Sequence, residues 1–461
     1  MRLQHAVEST NRTTITEVGL MRKCMAVSLL IVVCTMVQMT YSVNHENAAF
    51  LTPEQMKENL RFIHQTIIER HPNPYNTTPK VEFEKLYQEL MAQFIKPMSP
   101  MEFYFIADRL VTAVGKDAHT SLQYDSGYYT HKALPVKMVW IEDGLGIMES
   151  PENPELVHSR VLSFDGVSPE KWLERIGTIQ NHENNGILRE FGQNMLQEEW
   201  IQRYFSGNDG IKGVTIKADK NGRIVESFVP LVTVERFYEI FPNTVTKEKF
   251  FNYRMIDDLS AGYLELRKCL PEPEYFEALD KFFEQVRNKG YRNIILDLRK
   301  NGGGDSSLMV GFLKYMPGNS FNLGTGAGLG GKWEKYSRKP YFWSKPPEAK
   351  QIKPFNGHIY VLIAQPTFSS GNEFAFTLKD NGLVTLVGQK TSNAPCCFGA
   401  INGEELPNGK FTLYVSSKYF KRPSLKCEDN ELVPDVEVPL TLEDVFSERD
   451  PVMEWLQQNL N

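Results

Sequence analysis

The chain has 461 residues, with hydrophobic residues at 41%, charged residues at 23% and a formal net charge of −6. That length exceeds one compact core and predicts two or three units. The mild acidity, without a strongly basic region, excludes nucleic acid as the expected partner.

The first segment departs from the rest. "MRKCMAVSLLIVVCTMVQMTYSVN" opens on Arg22 and Lys23, continues through an apolar run from Met25 to about Val37, and reaches small polar residues near Ser42. This order is that of a secretory signal, with Met21 a plausible start and residues 1–42 comprising the signal and an upstream extension. The protein is therefore expected to be exported: extracellular, periplasmic or associated with the cell envelope. Left uncleaved, the same segment would tether it to a membrane. Four cysteines remain after such a signal, Cys269, Cys396, Cys397 and Cys427, enough for one or two disulfides in an exported protein. No CxxC or HExxH occurs, so neither a metal nor another cofactor is expected.

Residues 50–130 read as a helical domain. "LTPEQMKENLRFIHQTIIERHPNPY" carries Thr52 as a cap and Pro53 at the first helical position, and stops at Pro72 and Pro74. "KVEFEKLYQELMAQFI" and "SPMEFYFIADRLVTAVG" repeat the three- and four-residue apolar spacing. Residues 131–248 change to short alternating runs broken by "DG" and "NG" turns, which predicts a β-rich module with inserted helices. From 249 to 461, apolar strands such as "RNIILDLR" and "HIYVLIAQ" alternate with helix-like stretches. That pattern predicts an α/β layer whose sheet is covered on both faces.

Two stretches of the last unit bear on chemistry. "AQPTFSSGNEFAF" sets Ser369 and Ser370 between a strand and a helix, where ligand sites form in α/β sheets and helix amides favour developing negative charge. Either serine could equally be a cap, with Glu373 three residues after Ser370 completing a capping box. "LDLRKNGGGD" supplies three glycines after a strand, whose amides could approach a substrate oxygen; GxxxxGK[ST] is not satisfied, and Asp305 disfavours a phosphate. His119, in "VGKDAHTSL", lies among small polar residues between a helix and a short strand.

"NIILDLRKNGGGDSS", "VLIAQPTFSSGNEFAFTLKDNGLVTLVGQKT" and "ELVPDVEVPLTLEDVFSERDPVMEW", together with "RHPNPY" and "GKDAHTSL", resemble the tail-specific protease superfamily, which includes tricorn-core-like peptidases and interphotoreceptor retinoid-binding proteins. The resemblance implies a ClpP/crotonase-like α/β catalytic domain behind the helical domain, with the middle β-rich module in the place of a PDZ domain. It selects Ser370 as nucleophile through its spacing to Glu373. Where the Ser-Lys branch has its lysine, this chain has Ala394 and Pro395, and Lys390 lies too early, remaining only a weak alternative base. The tricorn-like branch implies His119 as base and Glu428, six residues before Pro434, as the acid that orients it, with Asp429 and Glu431 as neighbours able to take that place. Amides of Gly303 and Gly371 would form the oxyanion hole. A disulfide from Cys427 to Cys396 or Cys397 would tie the segment before Glu428 to the loop after the nucleophile helix. The expectation is an exported serine endopeptidase or C-terminal processing peptidase acting on peptides or unfolded protein. The alternative is a non-catalytic binder of peptides or small hydrophobes on the same fold.

Overall fold

The computed structural model describes residues 50–125, 132–242, 249–326 and 341–460. The expected signal segment lies outside them. No helix among the described residues is long and apolar enough to cross a membrane.

Three helices come first: α1 (Pro53–Arg70), α2 (Lys80–Gln93) and α3 (Pro100–Thr112). Thr52 and Ser99 each close a capping box, with Gln55 and Glu102, and a proline follows each cap. These arrangements satisfy first-turn amides at both helix starts. The apolar stripes of the three helices bury Leu60, Ile63, Ile67, Phe83 and Phe103 in one cluster. After α3 a short loop leads into strand β1 (Ser121–Tyr124).

Next comes a five-stranded antiparallel sheet in sequential order: β2 (Lys137–Ile141), β3 (Gly144–Glu149), β4 (Ser159–Phe164), β5 (Gly213–Lys220) and β6 (Arg223–Pro230). Asn221 and Gly222 both take positive φ between β5 and β6, the backbone that a two-residue hairpin requires. Helix α4 (Asn185–Met195), inserted between β4 and β5, packs against β2. The apolar core of this sheet is continuous with that of α1 to α3.

The remaining chain builds a six-stranded sheet from β7 (Phe251–Ile256), β8 (Ala261–Leu266), β9 (Asn293–Asp297), β10 (His358–Ile363), β11 (Thr385–Gly388) and β14 (Val436–Glu437), placed side by side in that order. Only the β7–β8 pairing is antiparallel. Helices α5 (Pro273–Asn288), α6 (Ser307–Leu313) and α7 (Ser370–Asp380) cover one face, against Leu264, Ile294, Leu296 and Val361. The C-terminal helix (Pro451–Asn459) covers the other, against Tyr263, Ile295 and Leu362. Neighbouring residues of one strand thus point to opposite cores, which is why these strands read as unbroken apolar runs.

Between β11 and β14 a long hairpin, β12 (Cys397–Glu405) and β13 (Phe411–Lys421), leaves this sheet. β1 pairs antiparallel with β13, Ser121 opposite Tyr414, and Phe411, Leu413 and Val415 enter the N-terminal core. The hairpin therefore carries the residues around His119 onto the α/β unit. Cys396 is bonded to Cys427; Cys397 and Cys269 are free thiols.

Candidate active site

Ser369 occupies the turn between β10 and α7 with φ +52° and ψ −126°. A β-carbon makes this backbone costly, by about 1–3 kcal/mol, and such strain gathers where a side chain must be aimed. The turn is held from three sides. Phe368 donates its amide to Asn301 O at 2.9 Å, the Thr367 hydroxyl donates to Leu298 O at 2.9 Å, and the Ser369 amide donates to Asn393 Oδ1 at 2.9 Å. Ser369 makes no side-chain cap bond, although it stands at the cap position. Its Oγ lies 3.1 Å from His119 Nε2, across 250 residues of sequence.

The loop carrying His119 is fixed by Asp117. Oδ1 of Asp117 accepts the His119 amide at 3.0 Å and the Ser416 hydroxyl of β13 at 3.0 Å, while Oδ2 accepts from His71 Nε2 at 3.1 Å. His71, in the "RHPNPY" stretch, accepts the Asn73 amide on Nδ1 at 3.1 Å, so its proton resides on Nε2 and points at Asp117. Burial pushes the Asp117 carboxyl up, but its bonds and proximity to His71 and the nearby His119 hold it below the ordinary carboxylate value. The His119 ring stacks on Phe368, with centroids 4.7 Å apart. Burial lowers the His119 pKa from its ordinary value, with Asp117 opposing. A neutral imidazole can accept a proton, which a charged one cannot.

The glycine loop lies against the same turn. Asn301 is fully buried, donates to Leu266 O at 3.0 Å and accepts the Gly303 amide at 2.9 Å. A β-carbon on Gly303 would stand 2.6 Å from Ser369 Cβ, and one on Gly371 would stand 2.6 Å from Asn301 Oδ1. Glycine at both positions lets the loop and the helix start close on each other.

The set expected from sequence is only partly assembled. His119 reaches the serine turn, but at Ser369 rather than Ser370. The Ser370 side chain is buried and turned inward: its hydroxyl donates to Gly304 O at 2.7 Å and lies 2.9 Å from Ser306 Oγ, which in turn contacts Glu373. Burial raises the Glu373 pKa. Ser306 thus bridges Glu373 and Ser370, and the Ser370 proton goes to Gly304 O. The expected oxyanion amides are also taken, Gly303 by Asn301 Oδ1 and Gly371 by Phe368 O at 3.0 Å. Among the described residues no acceptor takes the amides of Ser370 or Gly304. Glu428 is exposed beside Cys427 and makes no hydrogen bond or ion pair among the described residues. Lys390 faces Glu431 at 3.9 Å.

Two residues near the turn had no sequence signal. Asn393 holds the Ser369 amide, and its Nδ2 donates to Glu183 Oε2 at 2.8 Å. Glu183 comes from the segment just before α4 and is buried. One ring nitrogen of His119 and one carboxylate oxygen each of Asp117 and Glu183 lie within 4.8 Å of one another. With both Asp117 oxygens already accepting hydrogen bonds, this is an internal polar cluster with little left to offer a cation.

Residues 260–438 match the family model described as Peptidase family S41. They form a serine-type peptidase domain of the tail-specific protease superfamily. The S41 domain thus spans β8 to β14 and includes the glycine loop and both serines. In overall structure the chain is similar to mature CPAF, at TM-score 0.66 and 14% identity over 88% of this chain and 96% of that one. Mature CPAF complexed with lactacystin gives 0.65 and 14%, over 88% and 98%. A putative peptidase from Parabacteroides merdae gives 0.51 and 16%, over 88% and 96%. These likenesses concern the fold. No curated protein matches the chain by sequence.

Proposed function

We propose that this protein is an exported serine peptidase in which Ser369 is the nucleophile and His119 its general base. The observation that carries this reading is the 3.1 Å contact between Ser369 Oγ and His119 Nε2 at a strained strand-to-helix turn. His119 removes the hydroxyl proton as Ser369 attacks a peptide carbonyl, and returns it to the leaving amine as the tetrahedral adduct collapses. The Ser370 amide, at the first position of α7, and the Gly304 amide in the neighbouring loop, which no acceptor takes among the described residues, are the donors this reading assigns to the developing oxyanion. Water then repeats the sequence on the acyl-enzyme. Export is supported by the Cys396–Cys427 disulfide, a bond that persists in oxidising compartments.

Labelling of the mature protein with a fluorophosphonate probe tests the assignment. Ser369→Ala and His119→Ala should abolish labelling, whereas Ser370→Ala should retain it at a reduced rate, having lost only its bonds to Gly304 and Ser306. Labelling that survives Ser369→Ala and disappears in Ser370→Ala would refute the choice of serine. Wild-type protein that neither labels nor cleaves any of a broad set of peptides would favour the non-catalytic binder.

A further inference from the structure

The proton on His119 raises an accounting problem. If Nε2 accepts from Ser369, the neutral ring must carry its proton on Nδ1. That Nδ1 is buried and has no partner among the described residues. A buried donor left unpaired costs about 1–3 kcal/mol, and an imidazolium formed during the reaction would cost more. An acceptor is needed on that side of the ring.

Three carboxylates come into question. Glu428, the expected one, is exposed. Asp117 is buried beside His119, but His71, Ser416 and the His119 amide already use its oxygens. Glu183 differs from both. Its Oε2 accepts from Asn393 Nδ2 at 2.8 Å and from the Ala394 amide at 3.4 Å, the Ala118 amide also acts on the carboxylate, and its Oε1 is buried without a hydrogen bond of good geometry among the described residues. The cluster therefore holds one buried orphan donor and one buried orphan acceptor, on two residues that each bring a ligand atom within 4.8 Å of the other. Groups on residues this close can be joined through one bridging water.

We propose that Glu183 is the acid that positions His119, with its Oε1 accepting the Nδ1 proton directly or through one water. This inference rests on the Ser369–His119 reading. Glu183 holds the ring in the tautomer that leaves Nε2 free to accept, and stabilises the imidazolium once Nε2 is protonated. The same carboxylate reaches the nucleophile through Asn393, whose Oδ1 holds the Ser369 amide. Glu183 lies outside the S41 domain, so the middle of the chain contributes to the site. Glutamine at 183 could keep the Asn393 contact, but its amide would present a donor to Nδ1 and favour the wrong tautomer.

The titratable groups packed around Glu183 are Asp117, His119 and Cys397. Burial, opposed by the Asn393 bond and reinforced by Asp117, pushes Glu183 up to about 8. Burial raises the Cys397 thiol well above its ordinary value, and His119 lies below its own. Below the Glu183 pKa the carboxyl is protonated and loses its preference for Nδ1–H. Activity should therefore rise as pH passes through about 8.

The experiment compares the mature wild type with Glu183→Gln, Glu183→Asp and Glu428→Gln, measuring fluorophosphonate labelling rates from pH 5.5 to 9.5 and urea unfolding of each. Glu183→Gln should label about 10²–10⁴-fold more slowly and lose the limb near pH 8. Glu183→Asp should recover at least about tenfold over glutamine, and Glu428→Gln should stay within about threefold of wild type. Equal rates for the glutamine and aspartate variants, or an unchanged pH profile in Glu183→Gln, would overturn the role of Glu183. If glutamine impairs folding, the aspartate rate and its pH profile decide. Labelling that persists in Ser369→Ala fails the underlying reading instead, whatever Glu183 does.

Discussion

Replacing His71 with alanine should destabilise the protein by about 2.5–5 kcal/mol, although His71 does not touch the serine. The ring is fully buried, packs against Phe398 at 4.6 Å between centroids, and donates to a buried carboxylate. Losing its volume leaves a void costing about 1–2 kcal/mol. Losing a hydrogen bond to a charged, desolvated acceptor costs about 1.5–3 kcal/mol more. The assay is equilibrium urea unfolding, with midpoint and slope fitted together so that a change in the unfolded state is recognised. Catalysis should suffer as well, because Asp117 holds the His119 amide and the β13 contact at Ser416. A loss below about 1 kcal/mol would show that Asp117 is satisfied without His71, and would refute the view that this pair anchors the base.

Gly371→Ala would place a methyl 2.6 Å from Asn301 Oδ1 and 2.7 Å from Asn301 O, inside the contact that shapes the glycine loop. Overpacking of this kind costs about 1–3 kcal/mol, and the displaced loop should slow fluorophosphonate labelling at least about tenfold. Cys427→Ser opens a disulfide joining residues 31 apart and should lower stability by about 3–4 kcal/mol on the loop-entropy estimate; thiol titration of the unfolded mature variant should find three cysteines reacting without reductant, against two in the wild type. Arg299→Leu strips the carboxylate of Asp297 of its charged partner, leaving the Tyr263 hydroxyl at 2.7 Å and the residue-299 amide at 3.0 Å. In the wild type, burial pushes Asp297 up but the bonds to Arg299 bring it net below its ordinary value. Its contribution is thus present above the unfolded pKa and is lost as pH falls through the folded one. The variant should lose about 3–5 kcal/mol at pH 7 and less at pH 3, read from urea midpoints at the two values.

Periodicity and capping made much of the fold legible. Thr52–Pro53 and Ser99–Pro100 start helices as their chemistry demands, and unbroken runs such as Ile294–Leu296 belong to strands buried on both faces. The glycine loop and the serine turn were legible as neighbours. The choice between Ser369 and Ser370 was not, because it depends on a single backbone angle. One residue of helix rotates a side chain by about 100°, enough to exchange a hydroxyl facing His119 for one buried against Gly304. Spacing to Glu373 selects Ser370, and Ser370 does meet Glu373 through Ser306, as part of a buried set of hydrogen bonds. Glu183 and Asn393 carried no signal, since their contact joins residues 210 apart and neither sits in a recognisable spacing.

The distribution of the site over the chain follows from one strand pairing. Ser369 and the glycine loop belong to the six-stranded sheet, whereas His119 precedes β1 and Glu183 precedes α4. β1 adds to β13, and the Asp117–Ser416 and Thr120–Ser416 bonds fix the register at that junction. A slip of one residue along β13 would turn every β1 side chain to the opposite face and carry the loop before it out of register with Ser369. The acid–hydroxyl pair at Asp117 and Ser416 therefore sets which residue of β13 the loop meets, and through it the distance from His119 to Ser369. Ser369 is part-buried at the end of β10, and on the proposed reading its activation depends on the correct closure of the N-terminal half over the hairpin.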